Sequence, residues 1–336
     1  VTSETFKVFP YQAGKSLQVL QTFTFASPKS NLRQRVGYFS RENGIYLEQD
    51  DSSVYLVKRT KVSGVVEESR ISQSEWNVDK LNGSGPSDVV LDLTKAQIFF
   101  IELDSVGTGS VRVGFAIDGY FIVAHQFNHS NHIDTVYMTT VTLPARYEIT
   151  NTGATDSVST QKQISTAVIS NGGYFKPVHL SNAVRALVAV TDDYYPLVSI
   201  RMVSGRTDAI IVPDGIELSP TPTVTPAGEE FDDWQWALFK NATIVGGAWN
   251  TYAPENNVET NVTATSMSGG ELIVSSFFSS TNSGLPNLTT TDDRNWALQL
   301  GRTNADVPVS DVYTLAARVV NGDGSVKGSF AWEDLS

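Results

Sequence analysis

Short runs of alternating apolar and polar residues recur along the whole chain, separated by clusters of Gly, Asn, Ser, Asp and Pro. Such runs, too short for typical helices and rich in β-branched and aromatic residues, predict strands. The stretch from Val89 to Thr150 shows the pattern best. In Ala96–Leu103, alternation puts Gln97, Phe99, Ile101 and Leu103 on one face and Ala96, Ile98, Phe100 and Glu102 on the other. Both faces are mostly apolar, which predicts a central strand covered on each side. Val111–Ile117 alternates again, and Asp118-Gly119 separates it from Tyr120–Phe127. Asp and Gly tolerate the positive φ that a two-residue hairpin turn needs, so these two runs are expected to pair. Tyr137–Val141 and Arg146–Ile149 are expected as two more strands.

Upstream, Phe6–Pro10, Leu17–Phe25, Arg33–Phe39, Gly44–Glu48 and Val54–Arg59 read as strands, with QDDSS at 49–53 as a hairpin loop. Downstream, strands are expected at Ile164–Ser170, Arg185–Thr191, Tyr195–Val203, Ala209–Val212 and Gly215–Leu218. The last third adds Trp234–Asn241, Val258–Thr265, Glu271–Ser279, Asn295–Gly301, Val312–Val320 and Gly328–Trp332. The best helix candidate is Ile71–Leu81, where Ser72 or Ser74 caps the start, Gly83 and Pro86 follow the end, and Trp76 faces inward. The predicted fold is all-β: an antiparallel β-sandwich, jelly-roll-like, with a second sandwich lobe at the C-terminus or a continuation of the first. SPTPTVTPAG at 219–228 is Pro-rich, extended and poorly suited to full pairing, so the expected division is 1–218, a linker at 219–228, and 229–336.

Several segments carry a resemblance. SQSEWNVDKLNGSGPS, LDLTKAQIFFIELDSVGTGSVRVGFAIDG, VYMTTVTLPARYEITNTG and the ending DVYTLAARVVNGDGSVKGSFAWEDLS resemble segments of virion structural proteins of tailed bacteriophages, cyanophage-like ones in particular. The resemblance implies a non-enzymatic subunit on the phage particle surface: a capsid decoration, a fibre or a tail-associated protein. Its implied partners are copies of itself in a homotrimer and other virion proteins, such as the major capsid or tail proteins.

Composition narrows the alternatives. A net charge of −12 argues against binding a nucleic-acid backbone, which needs clustered Lys and Arg. The one basic cluster, Lys58-Arg59-Thr60-Lys61, is expected to be a solvated strand end. With no cysteine, stability must come from packing, pairing or oligomerisation. No run approaches the length of a membrane helix, so no membrane insertion is expected. The start, VTSETFKVF, has no Met and no signal-peptide pattern, so either the initiator has been removed or the chain is a processed or partial product.

The search for chemistry yields little. His125, His129, His132 and Asp134 have short spacings, but one lies on a predicted strand and the others in a polar loop, so no metal site is expected. The adjacent acid pairs, among them Asp50-Asp51, Glu67-Glu68 and Asp192-Asp193, are not glycosidase pairs, because neighbours on a strand point to opposite faces. Asn321–Ser325 mimics the start of a calcium loop, but Trp332 stands where its bidentate acid belongs, so a tight hairpin turn is expected. No nucleophile or phosphate-loop motif occurs, and neither catalysis nor a cofactor is expected. The alternative reading is a carbohydrate-binding or host-receptor-binding module, in which Trp249, Tyr252 and Trp296 stack on a host-surface glycan.

Overall fold

A computed structural model describes residues 1–9, 11, 15–104, 107–171, 179–206, 209–222, 233–251, 256–279, 298–303, 309–321 and 324–335. The chain is all-β and antiparallel throughout its sheets, and divides into two compact units, Val1–Phe175 and Lys176–Ser336.

The first unit is a sandwich of two sheets. Its strands are β1 (Thr2–Glu4), β2 (Ser16–Thr24), β3 (Leu32–Phe39), β4 (Gly44–Asp50), β5 (Ser53–Thr60) and β6 (Glu67–Ser72), followed by β7 (Gln97–Leu103), β8 (Val111–Ile117), β9 (Tyr120–Phe127), β10 (Ala145–Asn151) and β11 (Lys162–Asn171). One sheet has the order β1-β10-β3-β4-β5-β6 and the other β11-β2-β7-β8-β9. Two meanders, β3 to β6 and β7 to β9, thus form most of the two layers, and the remaining strands extend one end of each sheet. Alternation decides which side chains meet between them: Leu17, Val19 and Phe23 of β2, Phe99, Ile101 and Leu103 of β7, and Val36 and Tyr38 of β3 are all buried in one cluster. The turn between β8 and β9 has φ of 51° at Asp118 and 83° at Gly119, as the sequence predicts for a two-residue hairpin.

The expected helix over 71–81 does not form. Its start is the end of β6, a 3-10 turn of three residues follows at Gln73–Glu75, and Leu81 has φ of 50°. Polar side chains satisfy the backbone instead of a helical ladder: the Gln73 amide donates to the carbonyls of Lys80 and Leu81, and the Asp79 carboxylate accepts from the N–H groups of Leu81 and Ser87. Trp76 nevertheless lies in the core at 2% exposure, as an inward anchor. Tyr137–Val141 likewise forms no strand. The Asn43 amide brackets Thr139, and the Tyr38 hydroxyl sits between the Val141 carbonyl and the Leu143 N–H. Phe6–Phe9, of the run expected as a strand at Phe6–Pro10, also lies outside the strands; Pro10 is outside the described residues.

The second unit contains β12 (His179–Val190), β13 (Tyr195–Met202), β14 (Ile211–Pro222), β15 (Asp233–Lys240), β16 (Thr243–Val245), β17 (Asn250–Thr251) and β18 (Val258–Asn261). It continues with β19 (Ser266–Ser268), β20 (Glu271–Ser279), β21 (Arg302–Thr303), β22 (Val309–Ser310), β23 (Val312–Asn321) and β24 (Gly324–Asp334). A sheet of order β12-β24-β14 and one of order β17-β18-β13-β23-β15-β20 make the layers, with β16-β19 and β21-β22 as small ribbons. The core collects Trp234, Trp236, Trp332, Phe330, Leu315 and Ile200, so three of the tryptophans of the last third are structural.

Two boundaries differ from the sequence expectation. The division falls between Phe175 and Lys176 rather than at 219–228, because β14 runs on to Pro222 and pairs along its length with β24. Residues 223–228 of the expected linker lie outside the described residues. Of the Asn321–Ser325 segment, expected as a hairpin turn, Gly322 and Asp323 lie outside the described residues; the flanking strands β23 and β24 belong to different sheets and do not pair with each other.

Candidate functional site

Three regions of the first unit carry unusual chemistry among the described residues. The outer face of the six-stranded sheet holds Arg35, Arg59, Arg70 and Arg146 together with Glu4, Glu48, Glu68 and Glu148. Arg35 Nε lies 2.6 Å from Glu48 and its Nη1 3.1 Å from Glu148, while Arg70 pairs with both Glu48 and Asp50. The guanidinium groups lie over aromatic rings, with Arg35 and Arg59 at 5.2 and 5.0 Å from the Tyr46 ring and Arg146 at 5.2 Å from Phe39. Tyr46 in turn lies opposite Gly37, where a Cβ would approach the Tyr46 Cβ to 2.6 Å. Phe39 likewise lies opposite Gly44, so each aromatic covers a glycine on the neighbouring strand, and the guanidinium groups cover the aromatics.

Burial pushes the Tyr46 hydroxyl well above its usual range, although the nearby arginines oppose the shift. Glu148 is held below the usual carboxylate range: burial raises it, but the charges of Arg35 and Arg146 outweigh that effect. The four arginines are matched by these four glutamates and Asp50, so the face is close to self-neutralised rather than a basic binding patch. Arg59 and Lys58 of the basic cluster are not a solvated strand end, as the sequence suggested. Arg59 is consumed by Glu68 at 2.6 Å, and Lys58 lies 3.2 Å from His129 Nε2.

The histidines do not converge. His125 faces the sandwich interior from β9, with its Nδ1 accepting from the Asn77 N–H at 3.3 Å. His129 is stacked on Tyr137 at 4.3 Å and bonded to the Gly109 carbonyl, whereas His132 is bonded only locally to Ser130. Among the described residues, no group of three or more His, Asp or Glu side chains is placed to hold a metal ion.

The third surface is the outer face of the five-stranded sheet. Register lines up Ala167, Leu20, Phe100, Gly114 and Val123 across all five strands, and Thr22, Ile98, Ala116 and Phe121 in the adjoining row. Phe100 is covered by the edge of Phe121, with ring centroids 5.2 Å apart. The rest of the face is open: Phe121 is 56% exposed, Ile169 42% and Ile98 39%. The sequence expectation of a strand at 96–103 covered on both sides is thus corrected. One face of β7 is core, and the other meets solvent except at Phe100. Ile169 belongs to the polar row of Gln18, Glu102, Arg112 and Gln126, so the exposed apolar side chains centre on Ile98 and Phe121. This is the candidate functional site.

Of the residues expected to stack on a sugar, Tyr252 and Trp296 lie outside the described residues. Trp249 is half-buried, and the Arg201 guanidinium, itself bonded to Glu259 at 2.7 Å, lies 4.2 Å over its ring. No protein-family model matches the chain, and no curated protein matches it.

Proposed function

We propose that this protein is a non-enzymatic structural subunit of a tailed-phage virion, placed on the particle surface as a capsid decoration, fibre or tail-associated protein. It acts by assembly, as a homotrimer that also packs against other virion proteins such as the major capsid or tail proteins. The observation that carries this reading is the exposure of Ile98 and Phe121, which share one row of the outer face of the five-stranded sheet, with Ile169 exposed on its edge strand. In a cysteine-free chain, subunit contacts supply stability that disulfides supply elsewhere. The resemblance of four segments to phage virion proteins supports the same reading.

The double substitution Ile98→Lys and Ile169→Lys places two charges on that face without touching the core. Surface changes of this kind alter monomer stability by about 0.5 kcal/mol or less each. Sedimentation equilibrium is expected to show a trimer for the wild-type chain and mostly monomer for the variant, with an unchanged circular dichroism spectrum. A wild-type monomer, or a variant that keeps the trimer mass, would contradict assembly through this face.

A further inference from the structure

We infer that an open cleft of about 510 Å³ in the second unit is a binding site for a neutral glycan. The inference is independent of the virion reading, since it rests on a different unit and different residues. The cleft runs between the β12–β13 connection, β15 and the ribbon strand β19. Its aromatic wall is Tyr194 and Phe239, in edge contact with centroids 5.1 Å apart. The Arg318 guanidinium lies 4.8 Å over the Tyr194 ring and is itself held by Gln235, bonded at 2.9 Å. Tyr194 is therefore fixed in place before any ligand arrives, which limits the entropy that binding must overcome. The loop that carries it is pinned as well, since the Thr191 carbonyl accepts from the Val319 N–H at 2.8 Å.

The opposite wall is mixed, with Met267 between hydroxyl-bearing residues. Ser266 and Ser268 both line the cleft and are two residues apart on β19. Alternation puts them on one face, roughly 7 Å apart, about the span of a sugar ring and its substituents. Asp193 also lines the cleft, and neither it nor the two serine hydroxyls has a hydrogen-bond partner among the described residues. A carboxylate with free lone pairs beside free hydroxyls is suited to the vicinal hydroxyls of a pyranose, while the apolar C–H face of the ring packs on an aromatic. The ligand class follows from charge. Asp193 repels an acidic sugar, the chain as a whole carries −12, and Arg318, over Tyr194, is engaged by Gln235.

The whole 336-residue chain is tested on a printed array of neutral oligosaccharides beside sialylated and sulfated ones, and hits are followed by titration calorimetry. Expected are neutral hits whose affinity falls about tenfold or more in Tyr194→Ala. Asp193→Asn, an exposed and conservative change that leaves the fold intact, is expected to weaken them as well. Trp249→Ala is expected to bind as the wild type does. No hits, hits confined to acidic glycans, or neutral binding untouched by Asp193→Asn and Tyr194→Ala would each overturn the inference.

Discussion

Replacing Glu48 by Ala is expected to destabilise the first unit by about 3–5 kcal/mol, the cost of removing one member of a buried ion pair. Glu48 is fully buried, and its carboxylate is shared between Arg35 and Arg70. Without it, Arg35 keeps only Glu148, which Arg146 already engages, and Arg70 keeps only Asp50. The loss comes from the charge left behind and not from the strength of the pair itself. Glu48→Leu combined with Arg35→Met is therefore expected to recover much of the stability lost in Glu48→Ala. Hydrogen exchange resolves the two units: amides of β4 should exchange faster in Glu48→Ala, while those of β23 stay as in the wild type. Protection of β4 reduced by less than about 1 kcal/mol would show that the network is dispensable.

A second large effect is expected on acidification. Burial lowers the His125 pKa from 6.5 to about 4, and the Asn77 N–H occupies the Nδ1 lone pair that a proton would take. The folded state thus keeps His125 neutral while the unfolded chain protonates it below pH 6.5. The unfolded state binds more protons throughout that window, so stability falls as pH drops from about 6.5 to about 4, and levels off with respect to this group below that. A depression of this size corresponds to roughly 3 kcal/mol. His129, also lowered by burial, adds in the same direction. The carboxylates held low by arginines, Glu68 and Glu148, lose their contribution only as pH falls below the normal glutamate value of 4.5. Exchange protection of β9 measured from pH 7 to 4 in wild type and His125→Gln separates these. The variant is expected to show a visibly shallower fall. Parallel curves would remove His125 as the cause.

How much of this was legible in the sequence depends on where each signal resides. The β8–β9 hairpin was readable because Asp118-Gly119 and the flanking alternation are local. So was β2, whose buried and half-buried residues alternate from end to end. Strand β6, EESRIS, carried no apolar alternation, because its Glu68 and Arg70 are matched by Arg59 of β5 and Glu48 of β4 rather than by a core. The false helix at 71–81 failed for a related reason: helix-compatible spacing was overruled by side-chain bonds to the backbone from Gln73 and Asp79. The apolar face was half visible. Sequence alternation placed Ile98 and Phe100 together, but only register with Leu20, Ala116 and Phe121 shows that this side lacks a covering layer. For the cleft, Asp192-Asp193 stood out only as an acid pair. Its companions Phe239, Ser266 and Ser268 are far away in sequence, and no local pattern ties them to Tyr194.

The central claim, that the chain is a structural part of a phage particle, is tested most directly by quantitative mass spectrometry of density-gradient-purified particles from the source culture. The account predicts that the protein co-purifies with the particles at a fixed ratio to the major capsid protein. Hundreds of copies would indicate a capsid-surface role, and a few to a few dozen a tail, fibre or vertex role. A protein abundant in the culture fluid and absent from the particles would contradict the account.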